Sequence, residues 1–71
     1  MLHIGNLIRQ VFLSQGRSIK WFAEKLNCDR TNIYKIFRKE KIDTDLLQHI
    51  CVILEHDFFL DISNVLRMSK N

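Results

Sequence analysis

The sequence has no proline, two glycines, two cysteines and a single tryptophan among its 71 residues. Each shortage excludes something. Proline and glycine are the main helix breakers and turn formers, so a chain this poor in both is expected to be all-helical with short connections. No stretch approaches the roughly 20 apolar residues of a membrane span. The longest mainly apolar run, residues 46–54, is interrupted by Gln48 and His49. The N-terminus lacks the basic-then-apolar layout of a signal peptide, so a cytoplasmic chain is expected. Cys28 and Cys51 stand 23 residues apart, with no C-x-x-C and no histidine at ligand spacing. Both read as reduced, buried packing residues, with a disulfide or metal site as the lesser alternative.

Catalytic constellations are missing too. There are no paired carboxylates beside a base, no glycine-rich phosphate loop and no nucleophile elbow. Ser14, Ser18, Ser63 and Ser69 have capping or tail explanations, and His49 and His56 read as surface or boundary residues. No enzyme, cofactor, metal or small-molecule ligand is expected. Repeats, low-complexity tracts and linkers are also absent, which leaves one small domain. A chain this short buries only about 60% of its unfolded surface, so close helix packing has to supply the stability.

What the chain does have is charge of one sign in one place. Between positions 17 and 41 it carries Arg17, Lys20, Lys25, Arg30, Lys35, Arg38, Lys39 and Lys41 against Glu24, Asp29 and Glu40, a net of +5. The remainder carries Arg9, Arg67 and Lys70 against Asp43, Asp45, Glu55, Asp57 and Asp61, a net of −2. Such asymmetry is the footprint of a nucleic-acid-binding surface, although a solvated helical surface can carry the same residues. Charge alone does not decide between these.

The same stretch has a pattern that does. Ile19, Phe22, Ala23 and Leu26 fall at i, i+3, i+4 and i+7, one face of a helix. After a turn at Leu26, Asn27, Cys28 and Asp29, a second stripe follows at Ile33, Ile36 and Phe37. Asp29 is placed to cap the second helix, and Asn27 sits where a left-handed turn residue is needed. Ala23 is small enough to let two helices cross closely at a short turn. The prediction is a helix-turn-helix over residues 18–38. It resembles that of the Cro/phage-repressor (lambda-repressor-like, XRE-type) family of bacterial regulators, with Phe22 and Ala23 where the family usually has Leu-Ala. The likeness extends from Ile4 and Gly5, through Gly16, to Leu46, Leu54, Asp57 and Phe58, covering about residues 3–62.

The fold expected is therefore a compact all-α domain of four to five helices over residues 1–62, with residues 63–71 as a helical extension or frayed tail. A first helix is predicted from about residue 3 to 15, with Ile4, Leu7, Ile8, Val11 and Phe12 inward, Leu13 off the stripe and Gly16 as its stop. Ser18 caps the second helix, Asp43 the fourth and Asp57 the fifth. Ile42 is expected to staple the entry to the fourth helix, whose wide face comprises Leu46, Leu47, Ile50, Cys51, Ile53 and Leu54. Ser69, Lys70 and Asn71 are expected to fray. Apolar residues near Phe58, Leu60, Val65 and Leu66 exceed what one small core absorbs, which leaves a homodimer open.

With Ile33, Ile36 and Phe37 inward, Thr31, Lys35 and Arg38 face away, and Asn32 and Tyr34 take the flanks. Arg30 stands at the amino tip, which enters a major groove first. Arg30 suits guanine, Asn32 suits adenine, and the Thr31 methyl suits a thymine methyl; Lys35 could reach guanine or phosphate. The resemblance implies the same base-reading set, Arg30, Thr31, Asn32 and Lys35, and a backbone contact from Arg38. Ser18, Lys20, Tyr34, Lys39 and Lys41 complete the DNA-backbone candidates. Relatives commonly grip phosphate with a Gln where Ile19 stands here. Many also pair an Arg and a Glu at the positions of Phe12 and Phe37, so these two rings are expected to touch instead. The family commonly has an acidic or polar residue where Trp21 stands, so no role transfers: cover for the domain is favoured over a DNA-backbone contact. The function expected is sequence-specific binding of double-stranded DNA by a repressor-like regulator. The alternative is a protein-interaction module, antitoxin-like or anti-repressor, on the same fold.

Overall fold

The elements begin where polar side chains can serve stray backbone groups. In the computed structural model, which describes residues 2–68, the chain forms α1 (Ile4–Ser14), α2 (Ile19–Leu26), α3 (Arg30–Phe37), α4 (Thr44–Leu54) and α5 (Phe58–Met68). The described residues contain no strand, and no helix among them is long and apolar enough to cross a membrane. Each helix starts on a side-chain acceptor. Ser18 Oγ takes the N–H of Trp21 at 3.0 Å, and Asp29, Asp43 and Asp57 take those of Asn32, Leu46 and Leu60 at 2.9, 2.8 and 3.0 Å. One cap differs from expectation. His3 lies outside α1 and accepts from the Asn6 N–H through Nδ1, so the helix starts at Ile4.

Two helices end on a left-handed residue. Asn27 closes α2 at φ 56°, and the Cys28 N–H reaches back to the Ala23 carbonyl at 3.0 Å. Glu55 closes α4 in the same way at φ 51°, with His56 N–H on the Cys51 carbonyl. A glutamate accepts this conformation at a cost of about 1 kcal/mol, so the surrounding contacts must hold it. One of them is the Gln15 amide, which donates to the Leu54 carbonyl at 2.6 Å and ties the end of α1 to the end of α4.

Ile4, Ile8, Phe12, Phe22, Ala23, Ile33, Ile36, Phe37, Leu47, Ile50, Leu54 and Phe58 form the buried core. At its centre Phe12 lies 5.3 Å from Phe22 and 5.6 Å from Phe37, ring centre to ring centre, while Phe22 and Phe37 are 6.3 Å apart. The expected contact between Phe12 and Phe37 is present, as one side of a three-ring cluster. Leu13 is exposed, as its position off the stripe requires, and Ile42 packs on the core edge.

Two expectations need correction. Phe58 is not surplus: it is fully buried, because Asp57 turns α5 so that its first residue points into the core. The exposed apolar residues of α5 are Phe59, Leu60, Val65, Leu66 and Met68, joined by Val52 of α4. Both cysteines are free but only half-buried, since each sits at a helix end or edge rather than on the inner stripe. The last helix, α5, also takes in most of the segment expected to be a helical extension or a tail. It runs unbroken past Ile62 to Met68, so residues 63–68 continue it; the expected fraying of Ser69, Lys70 and Asn71 lies outside the described residues.

Candidate nucleic-acid interface

Three buried side chains orient α3. Ile33, Ile36 and Phe37 are inside, and at 3.6 residues per turn this fixes what faces out. Arg30, Thr31, Asn32, Tyr34, Lys35 and Arg38 are all exposed. Thr31, Lys35 and Arg38 stand opposite the core, Arg30 and Tyr34 lie along one flank, and Asn32 lies along the other. Tyr34 keeps half of its surface in solvent, so its hydroxyl is available and its ring is not core. Arg38 is the residue on which α3 ends, in a helical backbone conformation that carries its side chain out with the others.

The amino tip of α3 is closed by its cap. Asp29 holds the Asn32 N–H, and the Asp29 carbonyl takes the N–H groups of Asn32 and Ile33. The Arg30 side chain therefore projects from a fixed first turn. The Asp29 carboxylate next to it is the one negative group at this tip.

At the other end of α3 the loop carrying Lys39 and Lys41 is anchored through its backbone. Gly5 N–H donates to the Lys39 carbonyl at 2.8 Å and Ile4 N–H to the Glu40 carbonyl at 3.3 Å. Those N–H groups belong to the first turn of α1, which has no internal partners for them. Both lysines are exposed, with Glu40 between them. On α2, Lys20 is exposed, and Ser18, although its oxygen caps the helix, retains a hydroxyl proton to donate.

The basic members of this set share one electrostatic property. Among the described residues the ion pair is His56 with Asp61, at the junction of α4 and α5. Arg30, Lys35, Arg38, Lys20, Lys39 and Lys41 thus have no carboxylate partner within the described chain. Their charge is left for something outside it. The described residues also contain no group of three His, Cys, Asp or Glu side chains placed to hold a metal ion.

One residue of this surface escapes sequence reasoning. The Arg17 guanidinium lies over the Trp21 ring, 4.4 Å from its centre. Trp21 is half-buried against the core and stacks on Phe22 at 6.5 Å. The signal was present as an i, i+4 cation–aromatic pair. It was obscured because Arg17 precedes the helix that carries Trp21. Compared with known proteins, the chain matches no protein-family model, no curated protein and no solved structure.

Proposed function

We propose that this protein binds double-stranded DNA sequence-specifically, as a cytoplasmic regulator of the Cro/phage-repressor type, with α3 in the major groove. The observation that carries the reading is the exposed, unpaired set Arg30, Thr31, Asn32, Lys35 and Arg38, held outward by buried Ile33, Ile36 and Phe37. Arg30 and Asn32 are the side chains best matched to guanine and adenine edges, Thr31 offers a methyl to thymine, and Lys35 takes a base or a phosphate. Ser18, Lys20, Tyr34, Arg38, Lys39 and Lys41 face the backbone and set the register. One such domain makes few contacts, and two on a palindrome supply the rest. The exposed apolar residues of α5 are the surface proposed for a homodimer. In this reading the chain is a binding protein with no reaction to catalyse and no cofactor.

Selection of bound sequences from random duplex DNA tests the reading directly, because it returns affinity, site and half-site spacing together. On the selected site, Arg30→Ala should cost about 1–3 kcal/mol and relax base choice at one position per half-site. Lys39→Ala with Lys41→Ala should weaken binding to all duplexes alike and flatten the salt dependence by up to about two units of slope. Arg67→Ala, outside the basic stretch, should change little. Each variant has to keep the melting profile of the parent. Weak, unselective binding by the parent protein rejects the reading and favours α2 and α3 as a surface for a protein partner.

Asp29→Asn gives a result of opposite sign. Asparagine caps a helix as well as aspartate does, so α3 should start as before. Removing one negative charge beside the phosphates should tighten binding by about two- to fivefold near 0.1 M salt. Unchanged or weaker binding with an intact melting profile would show that the amino tip of α3 does not face DNA.

A further inference from the structure

Arg17 and Trp21 flank the Ser18 cap of α2, and their contact is not part of the core. Arg17 is exposed, and among the described residues its charged group makes one contact, with the Trp21 ring at 4.4 Å. The ring is itself held against the core cluster. A guanidinium over an aromatic face is restrained by the ring quadrupole, while its N–H donors, which lie in its own plane, remain unused. Five donors in a planar fork, positioned in advance and with no acceptor, match the oxygen pair of a phosphate. Gly16 immediately before it has φ +69°, which carries the chain out of α1 into the exposed Arg17 and Ser18.

We propose that Arg17, held on the Trp21 ring, is a DNA-phosphate-binding residue that anchors the start of α2 to the backbone. The inference rests on the DNA-binding reading above and extends it to a residue outside the α3 face. Its immediate neighbours support the choice of DNA over an isolated anion. Ser18 and Lys20 sit on the same end of α2, and eight basic residues fall between positions 17 and 41. A backbone running along this end would meet several donors in succession. Ile19, which has no polar group, leaves the first residue of α2 without an anchor of its own, and Arg17 supplies one from two positions earlier.

The test uses the full chain, a labelled duplex taken from the selection, and fluorescence anisotropy over a range of salt. R17A should bind about five- to tenfold more weakly on selected and unselected duplexes alike, with the salt slope lowered by about one unit. R17K should restore the slope but only part of the affinity, because an ammonium keeps the charge and loses the planar fork. Trp21 is the only tryptophan, so tryptophan emission reports on this ring and its surroundings. It should differ between free wild type and free R17A, and change when wild type is saturated with duplex. Neither substitution touches the core, so melting should fall by no more than about 5 °C, the loss of the ring contact. If wild type binds the duplex and R17A binds it equally well with the same slope, the inference fails and the DNA-binding reading stands. If R17A weakens binding at one base position only, Arg17 is not a backbone contact and the inference fails again. If wild type binds no duplex at all, both fail together.

Discussion

Phe37→Ala should cost about 3–5 kcal/mol of folding stability, the range for removing a buried aromatic side chain. The ring is one of three in the centre of the domain, 5.6 Å from Phe12 and 6.3 Å from Phe22. Alanine would leave a cavity lined by two further rings, which cannot close it without leaving their own packing. A domain of 71 residues has roughly 4–10 kcal/mol in total, at about 0.05–0.15 kcal/mol per residue. The loss would therefore consume a third or more of the margin. Phe37→Leu should cost clearly less, because most of the volume stays. Chemical denaturation of the three proteins, read by helical signal, checks the order. A loss below about 1 kcal/mol for the alanine variant would contradict the burial of this ring. The functional consequence follows from position. Phe37 is the last residue of α3, so loosening it frees the end of the helix from which Lys35 and Arg38 project.

How much of this could be read from the sequence depends on the range of the interactions. Caps act within three residues, and Ser18, Asp29, Asp43 and Asp57 were legible because a short polar side chain preceded each apolar stripe. The outward set on α3 was legible for a similar reason: three buried positions fix the azimuth of the other six. What could not be read was set by approach between distant segments. Glu55 gives no sign of a left-handed backbone. It is held there in part by the Gln15 bond to Leu54 across 39 positions of sequence. Phe58 was misplaced because Phe59 and Leu60 follow it directly, and the packing of α5 on the rest of the domain is what buries the first of the three and leaves the other two exposed. The Arg17–Trp21 contact crosses a helix start, where period counting stops. The sequence pattern likewise carries the candidate interface on α3 but not its support. That support is the pair of bonds from the start of α1 to the Lys39 and Glu40 carbonyls.

Gly5→Ala tests that support and should be far more damaging than the same change at Gly16. On propensity alone the substitution would stabilise α1 by about 1 kcal/mol. The structure reverses the sign. A Cβ at position 5 would stand 2.4 Å from the Phe37 carbonyl oxygen, 2.5 Å from that of Ile36 and 2.7 Å from that of Lys39. All three are backbone atoms at the end of α3, so no rotamer change relieves the contact. One of them is also the acceptor for the Gly5 N–H at 2.8 Å. To admit the methyl, α1 must move away from α3, which stretches that bond and the neighbouring bond from Ile4 to Glu40. The net loss should be about 3 kcal/mol or more, above the usual range for overpacking because the obstacle is backbone on three sides. Gly16→Ala is the matched comparison. There the Cβ meets nothing, and only the φ of +69° opposes it, so the cost should stay near 1 kcal/mol. Denaturant midpoints of the two variants separate the mechanisms: steric exclusion at position 5 and backbone strain at position 16. An alanine at position 5 that leaves stability unchanged or raises it would mean that α1 does not sit on the end of α3. The same displacement shifts the segment that carries Lys39 and Lys41. On the proposed function, a Gly5→Ala protein that is still folded should therefore bind duplex DNA more weakly without a change in base preference, as is expected of the double lysine variant.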